Sequence, residues 1–128
     1  MTALLPTGWP RPKGYANGVS ANGRTIFVAG MIGWDENQYF ASDDFAGQAR
    51  QALANIVAVL AAGGALPSHI TRMTWYVTDK REYLAAGREL GAAYRRVFGK
   101  HFPAMTAVQV VALMEDRAKV EIEATAVV

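Results

Sequence analysis

The chain has 128 residues, of which 52% are hydrophobic and 19% are charged, which is the composition of a globular protein and excludes a disordered one. Its length predicts a single domain spanning residues 1–128, and the small net charge of +2, with scattered basic residues, predicts no nucleic-acid partner. Because the chain has no cysteine, disulfides, thiolate catalysis and cysteine metal sites are excluded.

The sequence also lacks export and membrane signals. Its first ten residues do not combine a positively charged start with an apolar stretch, as a signal peptide does. The longest apolar run, residues 56–62, is far below the roughly 20 residues that a membrane helix needs. We therefore expect no membrane partner and a cytoplasmic location.

Asn22-Gly23 is the strongest local signal near the start of the chain. A two-residue type I′ turn needs positive φ at both positions, which Asn-Gly adopts at little cost. The pair predicts a hairpin that joins a strand at residues 15–21 to a second strand at 25–31. Gly30 and Gly33 then indicate a bulge, or a close approach of the backbone to a ligand.

A first helix is predicted to follow Ser42-Asp43-Asp44, because a capping side chain and carboxylates favour the positive end of the helix dipole. Gly63-Gly64 predicts its end. Apolar residues recur between them at helical spacing. They are Phe45, Ala49, Leu53, Ile56 and Leu60.

The second half of the chain predicts a strand at residues 70–78, a helix at 80–98 and two strands at 104–113 and 119–127. Glycines 87 and 91 fall on the apolar stripe of the second helix, which indicates close packing there. The predicted order of elements is ββαβαββ.

Two helices can cover only one face of such a sheet. We expect the other face to be apolar as well, so that a monomer would expose a large apolar surface and self-association would cover it. The residues expected there, or their alternates along each strand, are Trp75, Met105, Ala107 and Val111.

Several kinds of catalytic site have no support in the sequence. His69 and His101 are the only histidines, and neither lies in a serine or aspartate context that indicates a nucleophilic triad. No spacing of His or carboxylates predicts a metal site. The Gly30–Gly33 segment, GMIG, matches neither a dinucleotide-binding nor a P-loop spacing.

A carboxylate acting on a bound water is the chemistry that remains. Glu121 and Glu123 share one face of the last strand, whose other face is Val120, Ile122 and Ala124. A solvated strand face is the alternative interpretation, and periodicity alone favours it.

Six stretches of the sequence together indicate a family. They are GYANGV at 14–19, IFVAGMIG at 26–33, QARQALANIVAVLAAGG at 48–64, ITRMTWYVTD at 70–79, FPAMTAVQVVAL at 102–113 and KVEIEATAV at 119–127. In these segments, and in their order, the chain resembles the Rid (reactive intermediate deaminase, or YjgF) family over nearly its whole length.

The resemblance implies a chorismate-mutase-like α+β fold, with a mixed sheet of about six strands and two helices on one face. It also implies a homotrimer in which three sheets surround a central barrel. Its ligand pocket would lie between adjacent subunits, where the best-known branch of the family hydrolyses small imines and enamines. This chemistry requires no cofactor.

Carried over by position, the resemblance makes Glu121 the residue that places or activates water, since it matches the first glutamate of the family's K-[IV]-E-I-E strand. Tyr15 matches the tyrosine of the N-terminal segment. Gly30 and Met31 stand where the family has Gly-Gln after a serine, and the serine is Ala29 here. A strand aromatic for Tyr15 and a simple bulge at Gly30 are the alternative interpretations.

Met105 departs from the family pattern. The deaminating branch has arginine in a P-A-R-[ST] motif, which Pro103–Thr106 renders as PAMT, and that arginine holds the substrate carboxylate through two hydrogen bonds. Methionine cannot do so. Efficient hydrolysis of the usual 2-imino acids is therefore not expected, and a softer, more apolar pocket is.

Other residues are candidates for a modified pocket. Arg88 stands near the position of the family's helix asparagine, and Lys13 or Arg11 are further possible cations. Trp34 and Trp75 are possible lining residues, although tryptophans are more often part of the core.

Three functions stay open at this point. The first is hydrolytic deamination of an enamine or imine, with Glu121 orienting water and Thr106, or backbone amides near Gly30, holding the ligand. The second is a small-molecule-binding module that has lost the chemistry. The third, a ribonuclease or translation inhibitor, has the least support, because the charge is weak and no histidine pair is evident.

Overall fold

The computed structural model describes residues 1–128, which form six strands, three α-helices and one short 3₁₀ helix. The strands are β1 (Thr2–Leu4), β2 (Gly18–Ser20), β3 (Thr25–Ile32), β4 (Ile70–Val77), β5 (Ala104–Gln109) and β6 (Val120–Val127). The helices are α1 (Phe45–Ala62), α2 (Lys80–Ala85) and α3 (Gly87–Phe98), and the 3₁₀ helix spans Pro67–His69.

Four strands form one mixed sheet in the order β3-β6-β4-β5, while β1 and β2 form a separate antiparallel pair. Within the larger sheet β4 and β5 are parallel, and the other neighbours are antiparallel. The predicted α+β class is confirmed. The six strands are divided between two sheets rather than joined in one, and the strand predicted at 104–113 ends at Gln109.

The predicted second helix is divided at Ala86, whose ψ of 7° departs from helical geometry. The hydrogen-bond ladder continues across the break, because Ala86 N donates to Glu82 O and Leu90 N donates to Ala86 O, at 3.0 and 2.8 Å. The chain therefore turns slightly between α2 and α3 while both stay on the same side of the sheet.

The predicted Asn22-Gly23 hairpin is wrong. β2 pairs with β1, and β3 pairs instead with β6. Gly23 has a φ of 144°, but Asn22 has no positive φ, so the turn is not type I′. Gly23 lies against the end of the chain, where Arg24 and Val128 exchange backbone hydrogen bonds of 3.0 and 2.9 Å, and a side chain at position 23 would clash with the Val128 carbonyl.

Helix α1 begins and ends near the predicted signals. Asp44 is its N-cap, accepting a hydrogen bond of 3.1 Å from Gly47 N, and Gly63 is its C-cap. Its apolar stripe is buried against the sheet, so the helical spacing read from the sequence is confirmed. The buried apolar residues of α1 are Phe45, Ala46, Ala49, Ala52, Leu53, Ile56 and Leu60.

The core lies between the helices and one face of the four-stranded sheet. Burial alternates along β6, because every second residue faces the helices. The sheet residues on this helix-covered side include Val28, Met73, Trp75, Val77, Val120, Ile122, Ala124 and Ala126. No helix of the chain has both the length and the apolar character to cross a membrane.

The opposite, helix-free face is partly apolar, as predicted, but Trp75, Met105 and Ala107 do not lie on it. The parallel register pairs Met73 with Met105 and Trp75 with Ala107, which puts Met105 and Ala107 beside Trp75 on the helix-covered side. Val111 lies beyond the end of β5 and is fully exposed. The helix-free face is mixed in character. Its apolar side chains include Phe27, Ile32, Val108 and Val127, and its polar ones are Thr25, Arg72, Thr74, Tyr76, Thr106, Glu121, Glu123 and Thr125.

Phe27 is the most exposed apolar residue of the helix-free face. It pairs with Thr125 and is 79% exposed, although a phenylalanine is normally buried, and Val108 on the same face is also exposed. Self-association through this face would therefore cover a mixed polar and apolar surface that includes Phe27 and Val108.

Candidate functional site

The most aromatic cleft of the chain, about 540 Å³ in volume, opens on the helix-covered side beside β5. Two strands, two helices and one short segment border it: the parallel strands β4 and β5, helices α2 and α3, and the segment 13–15 before β2. Its lining residues are Lys13, Gly14, Tyr15, Trp75, Tyr83, Leu84, Gly87, Leu90, Gly91, Tyr94, Arg95, Phe102, Met105 and Ala107.

Backbone pairing fixes the position of Tyr15 in this cleft. Ala16 forms a parallel bridge with Ala104, and Ala16 N donates a 2.9 Å hydrogen bond to Pro103 O. The bridge holds residues 14–16 against the start of β5. Tyr15 and Met105 consequently line the same cleft, as the family resemblance implies.

Aromatic rings form most of the cleft wall. Trp75 and Tyr83 lie with their ring centroids 6.1 Å apart, and Tyr94 stacks on Phe102 at 6.3 Å with an interplanar angle of 6°. The Tyr94 hydroxyl donates to His101 O at 2.8 Å. Burial raises the pKa of both Tyr83 and Tyr94, so both phenols stay neutral at physiological pH.

The charges of the cleft are all positive. Lys13 and Arg95 line it, no aspartate or glutamate does, and neither cation forms a salt bridge within the chain. The Arg95 guanidinium lies over Gly91, since a Cβ atom at position 91 would stand 3.3 Å from Nη1. The absence of a side chain at Gly91 thus leaves space for Arg95 along α3.

The candidate water-placing residue, Glu121, lies on the helix-free face of the sheet. Between the Val28–Ala124 and Met31–Ile122 pairs, β3 has two residues and β6 has one, which is a β-bulge. The bulge brings Gly30 against Glu121. A Cβ atom at position 30 would stand 2.6 Å from Oε1 of Glu121, so any larger residue would displace this carboxylate.

A hydrogen-bonded pair lies next to this carboxylate on the same face. Tyr76 pairs with Glu121 across β4 and β6, and its hydroxyl donates to Glu123 Oε1 at 2.9 Å. This hydrogen bond raises the pKa of the Tyr76 phenol, with burial and the charges of Glu123 and Glu121 adding to the effect. The Glu123 carboxylate is therefore hydrogen-bonded to Tyr76, while Glu121 has no side-chain hydrogen bond.

The other residues predicted for the site, Met31, Thr106 and Arg88, do not lie together. Met31 packs against the core on the helix-covered side, and Thr106 is exposed on the helix-free face opposite Thr74. Arg88 is exposed and does not line the cleft, although its neighbour Gly87 does.

The residues suggested as replacement cations or as further lining residues also lie in different parts of the structure. Lys13 and Trp75 line the cleft, whereas Arg11 lines an adjoining groove beside β1. Trp34 packs against Phe40, with ring centroids 5.9 Å apart, in a small second cluster.

Met105 and Glu121 are on opposite faces of the sheet in one chain. Met105 shares the helix-covered side with Met73, and Glu121 shares the other side with Tyr76. A single copy therefore does not bring the cleft and the free carboxylate together. No group of three His, Asp or Glu side chains is placed to hold a metal ion.

Sequence reasoning missed Arg95 and the aromatic residues Tyr83, Tyr94 and Phe102 as lining residues. Helical spacing predicts the apolar stripe of α2 and α3 that carries Tyr83 and Tyr94, but by itself it indicates only a packing surface. Its two glycines were the available signal, because Gly87 and Gly91 leave the helix wall of the cleft without side chains.

Comparison with known proteins agrees with the sequence resemblance. Residues 10–128 match the model of the family described as Endoribonuclease L-PSP. A 2-iminobutanoate/2-iminopropanoate deaminase of Salmonella typhimurium is 34% identical over 116 residues, which is 88% of this chain and 86% of the relative.

Two solved structures are also similar. The Rid-family protein YyfB from Yersinia pestis is 28% identical with a TM-score of 0.86, and the match covers 99% of this chain and 98% of that one. Escherichia coli TdcF with bound serine is 29% identical with a TM-score of 0.70, over 100% and 99% of the two chains.

Proposed function

Because the chain belongs to the Endoribonuclease L-PSP family, also known as the Rid or YjgF family, we propose that it hydrolyses the carbon–nitrogen double bond of a small imine, or of the enamine in equilibrium with it. The observation that carries the proposal is the 34% identity, over most of both chains, to a relative named as a 2-imino acid deaminase. The cleft supports it, since a concave, mostly apolar site is typical of small-molecule binding.

The reaction needs one water and no redox partner. The water oxygen bonds to the imine carbon while the nitrogen takes up a proton, which gives a carbinolamine. The carbon–nitrogen bond then breaks, the nitrogen leaves as ammonia, and the hydroxyl loses its proton to become the carbonyl. A carboxylate that accepts the water proton and returns it to nitrogen assists both steps.

Glu121 is the proposed carboxylate. Its carboxylate accepts no hydrogen bond from another side chain, whereas Glu123 accepts one of 2.9 Å from the Tyr76 hydroxyl. The close approach of Gly30 would limit the positions open to its side chain. We assign Glu121 to holding the attacking water, and Tyr15 and Met105 to contacting the ligand.

A homotrimer would unite these residues. Glu121 and Met105 lie on opposite faces of one sheet, so a common site requires the cleft of one copy and the helix-free face of its neighbour. The exposed Phe27 gives that face an apolar contact for another copy. Three copies with sheets around an axis are the arrangement that the family resemblance implies.

Met105 restricts the range of substrates that we expect the protein to hydrolyse efficiently. A side chain without charge makes no charge-assisted hydrogen bond to a substrate carboxylate, and such a bond typically contributes about 1.5–3 kcal/mol. We therefore propose that the small 2-imino acids are poor substrates, hydrolysed at least about tenfold less efficiently than by an arginine-containing relative.

An imine-hydrolysis assay tests the proposal. A flavin amino-acid oxidase generates imines in place from alanine, 2-aminobutyrate, leucine and phenylalanine, catalase removes the peroxide, and semicarbazide captures the imine that remains. The protein should lower semicarbazone formation from one or more imines, and Glu121→Gln should abolish the effect. If wild-type protein and Glu121→Gln match the spontaneous rate with every imine, the proposal is wrong.

A non-catalytic binding module is the second candidate, and Met105 is the observation that favours it. Ligand-dependent shifts in thermal unfolding, without any effect on imine lifetime, would support this alternative. The absence of a shift across a broad set of metabolites would count against it.

The nuclease activity named in the family description has less support in this chain. Both histidines are engaged in local structure: His69 Nδ1 accepts from Leu66 N at 2.9 Å, and His101 Nε2 lies 2.6 Å from Ile70 O. Neither of them lines the aromatic cleft. We expect no RNA cleavage by protein purified free of contaminating nucleases.

A further inference from the structure

We propose that the cleft selects planar aromatic or conjugated imines that carry a carboxylate, and that Arg95 of α3 binds this carboxylate in place of a cation at position 105. The inference rests on the proposed function, whose substrate class it specifies. Three independent features of the cleft carry it: its charge, its aromatic wall and a buried donor without a partner.

The charge of the cleft favours an anionic ligand. Lys13 and Arg95 both line it without any carboxylate, and neither has a salt-bridge partner in the chain. An unpaired guanidinium beside apolar rings binds a planar carboxylate better than an ammonium does, because its donors match both oxygens. Arg95 is therefore the cation that we assign to the ligand.

Gly91 lets Arg95 lie close against α3. A Cβ atom at residue 91 would stand 3.3 Å from Arg95 Nη1, so a larger residue there would require the guanidinium to move slightly. Arg95 and Arg96 are both exposed, but only Arg95 lines the cleft. The two arginines thus form a natural pair of test and control.

The wall of the cleft favours a flat, unsaturated ligand. Tyr83, Tyr94 and Phe102 line it together with Trp75, and Tyr94 and Phe102 are nearly parallel, with an interplanar angle of 6°. Rings in such positions bind other flat π systems by offset stacking or edge-to-face contact. Met105 adds a polarisable side chain that makes favourable contacts with aromatic rings. An aliphatic imine of three or four carbons would leave much of the roughly 540 Å³ cleft unfilled.

Trp75 supplies a hydrogen-bond donor without an acceptor. It is 4% exposed and lines the cleft, and its ring nitrogen Nε1 is buried with no hydrogen-bond partner. Buried donors of this kind are rare, because leaving one unpaired costs about 1–3 kcal/mol. Because this nitrogen has almost no accessible surface, a ligand oxygen would supply the missing acceptor only once the neighbouring side chains shift.

A binding experiment tests the ligand class without any catalysis. Calorimetry measures three compounds against the whole protein: phenylpyruvate, its methyl ester and 2-oxobutanoate. Phenylpyruvate, which has both the ring and the carboxylate, should bind at least about tenfold more tightly than either of the others. Equal or tighter binding of 2-oxobutanoate would overturn the aromatic preference, and equal binding of the ester would overturn the need for an anion.

Variants test the role of Arg95. Arg95→Ala should weaken phenylpyruvate binding by about tenfold, as expected for the loss of one charge-assisted hydrogen bond, whereas Arg95→Lys should keep part of the affinity. Arg96→Ala removes the same charge from the same helix and should leave the affinity unchanged. If Arg95→Ala and Arg96→Ala bind phenylpyruvate equally, Arg95 is not the carboxylate ligand.

The imine assay separates this inference from the proposed function. Faster hydrolysis of the phenylalanine-derived imine than of the alanine-derived imine, each relative to its spontaneous rate, supports both. Hydrolysis that favours the small imine overturns the inference and leaves the function standing. Tight phenylpyruvate binding without hydrolysis of any imine overturns the function and supports the ligand class.

Discussion

Gly30 lies directly against the carboxylate of Glu121, so that a Cβ atom at position 30 would stand 2.6 Å from Oε1 and 2.8 Å from Cδ. This contact is a consequence of the β-bulge in β3, and it means that the present position of the carboxylate depends on glycine at position 30. It connects a strand irregularity to the side chain that we propose holds water.

Gly30→Ala should therefore displace the Glu121 carboxylate and reduce imine hydrolysis by tenfold or more, while the fold is kept. Gly18→Ala is the control, because its Cβ would meet Leu4 at an ordinary distance of 3.4 Å. Initial rates and circular dichroism of both variants check the prediction. Full activity in a folded Gly30→Ala variant would show that the position of this carboxylate does not matter.

Met105→Arg should increase the hydrolysis of 2-iminopropanoate and 2-iminobutanoate by about tenfold or more, because a guanidinium at this point of β5 can hold a small carboxylate. Met114→Arg adds the same charge at an exposed loop position and should have no effect. Competition with semicarbazide measures both. The same low rate in Met105→Arg and wild type would mean that something other than residue 105 limits these substrates.

Gln48 joins α1 to the loop before β6. Its fully buried amide donates to Ser42 O and Arg117 O, at 3.1 and 2.9 Å, and accepts from Lys119 N at 2.8 Å. Gln48→Leu leaves these backbone groups unpaired and should lower the free energy of unfolding by about 2–5 kcal/mol.

Urea unfolding at neutral pH measures this effect. Gln51→Leu is the matched control, because Gln51 bonds only to the side chain of Asn55 and is less buried. We expect it to cost less than about 1 kcal/mol. Equal losses in the two variants would contradict the structural role of Gln48.

Asp79 caps α2, accepting a 2.8 Å hydrogen bond from Arg81 N, and this bond, helped by the Arg81 side chain, lowers the pKa of the carboxyl. A carboxyl whose pKa falls on folding stabilises the protein above its unfolded pKa of about 3.9. This stabilisation is lost as the pH falls through the lower, folded pKa.

Asp79→Ala should accordingly unfold at lower urea concentration than wild type at pH 7, and the difference should shrink as the pH falls below about 4. Urea midpoints at a series of pH values measure it. A difference that is the same at pH 7 and pH 2.5 would show that the charge of Asp79 contributes nothing.

The exposed Phe27 gives a prediction about assembly. Light scattering should find three chains per particle, and Phe27→Glu should reduce this number, because it adds negative charge to a face that already carries Glu121 and Glu123. Leu66→Glu, an equally drastic change at an exposed residue beside the 3₁₀ helix, should leave the mass unchanged. A monomeric wild-type protein at micromolar concentration would rule out the shared site.

The sequence predicted those parts of the fold that local periodicity determines. Phe45 to Leu60 recur at helical spacing and are buried in α1, and the alternation of β6 separated Ile122 from Glu121 correctly. These patterns depend only on which side of one element faces the core, so no knowledge of the neighbouring strands is needed.

Strand pairing and side-chain direction could not be predicted in this way. Asn22-Gly23 permits a tight turn, but β3 pairs with β6, which covers it over most of its length. The faces of Trp75 and Met105 depend on the parallel register of β4 and β5. Arg95 lines the cleft with its guanidinium over Gly91, and helical spacing does not reveal this contact.

Complementation between two inactive variants tests the central claim most directly. Glu121→Gln removes the proposed water-holding group, and Ala107→Trp fills the cleft of the same chain from the other face of the sheet. Unfolded together in equal amounts and refolded, they should form mixed trimers if the proposed assembly is correct, and about a quarter of the interfaces would then combine an intact Glu121 with an intact cleft from the neighbouring copy. We predict recovery of roughly that fraction of wild-type imine hydrolysis, and no activity from either variant refolded alone. Mixed trimers without activity would contradict a site that two copies share.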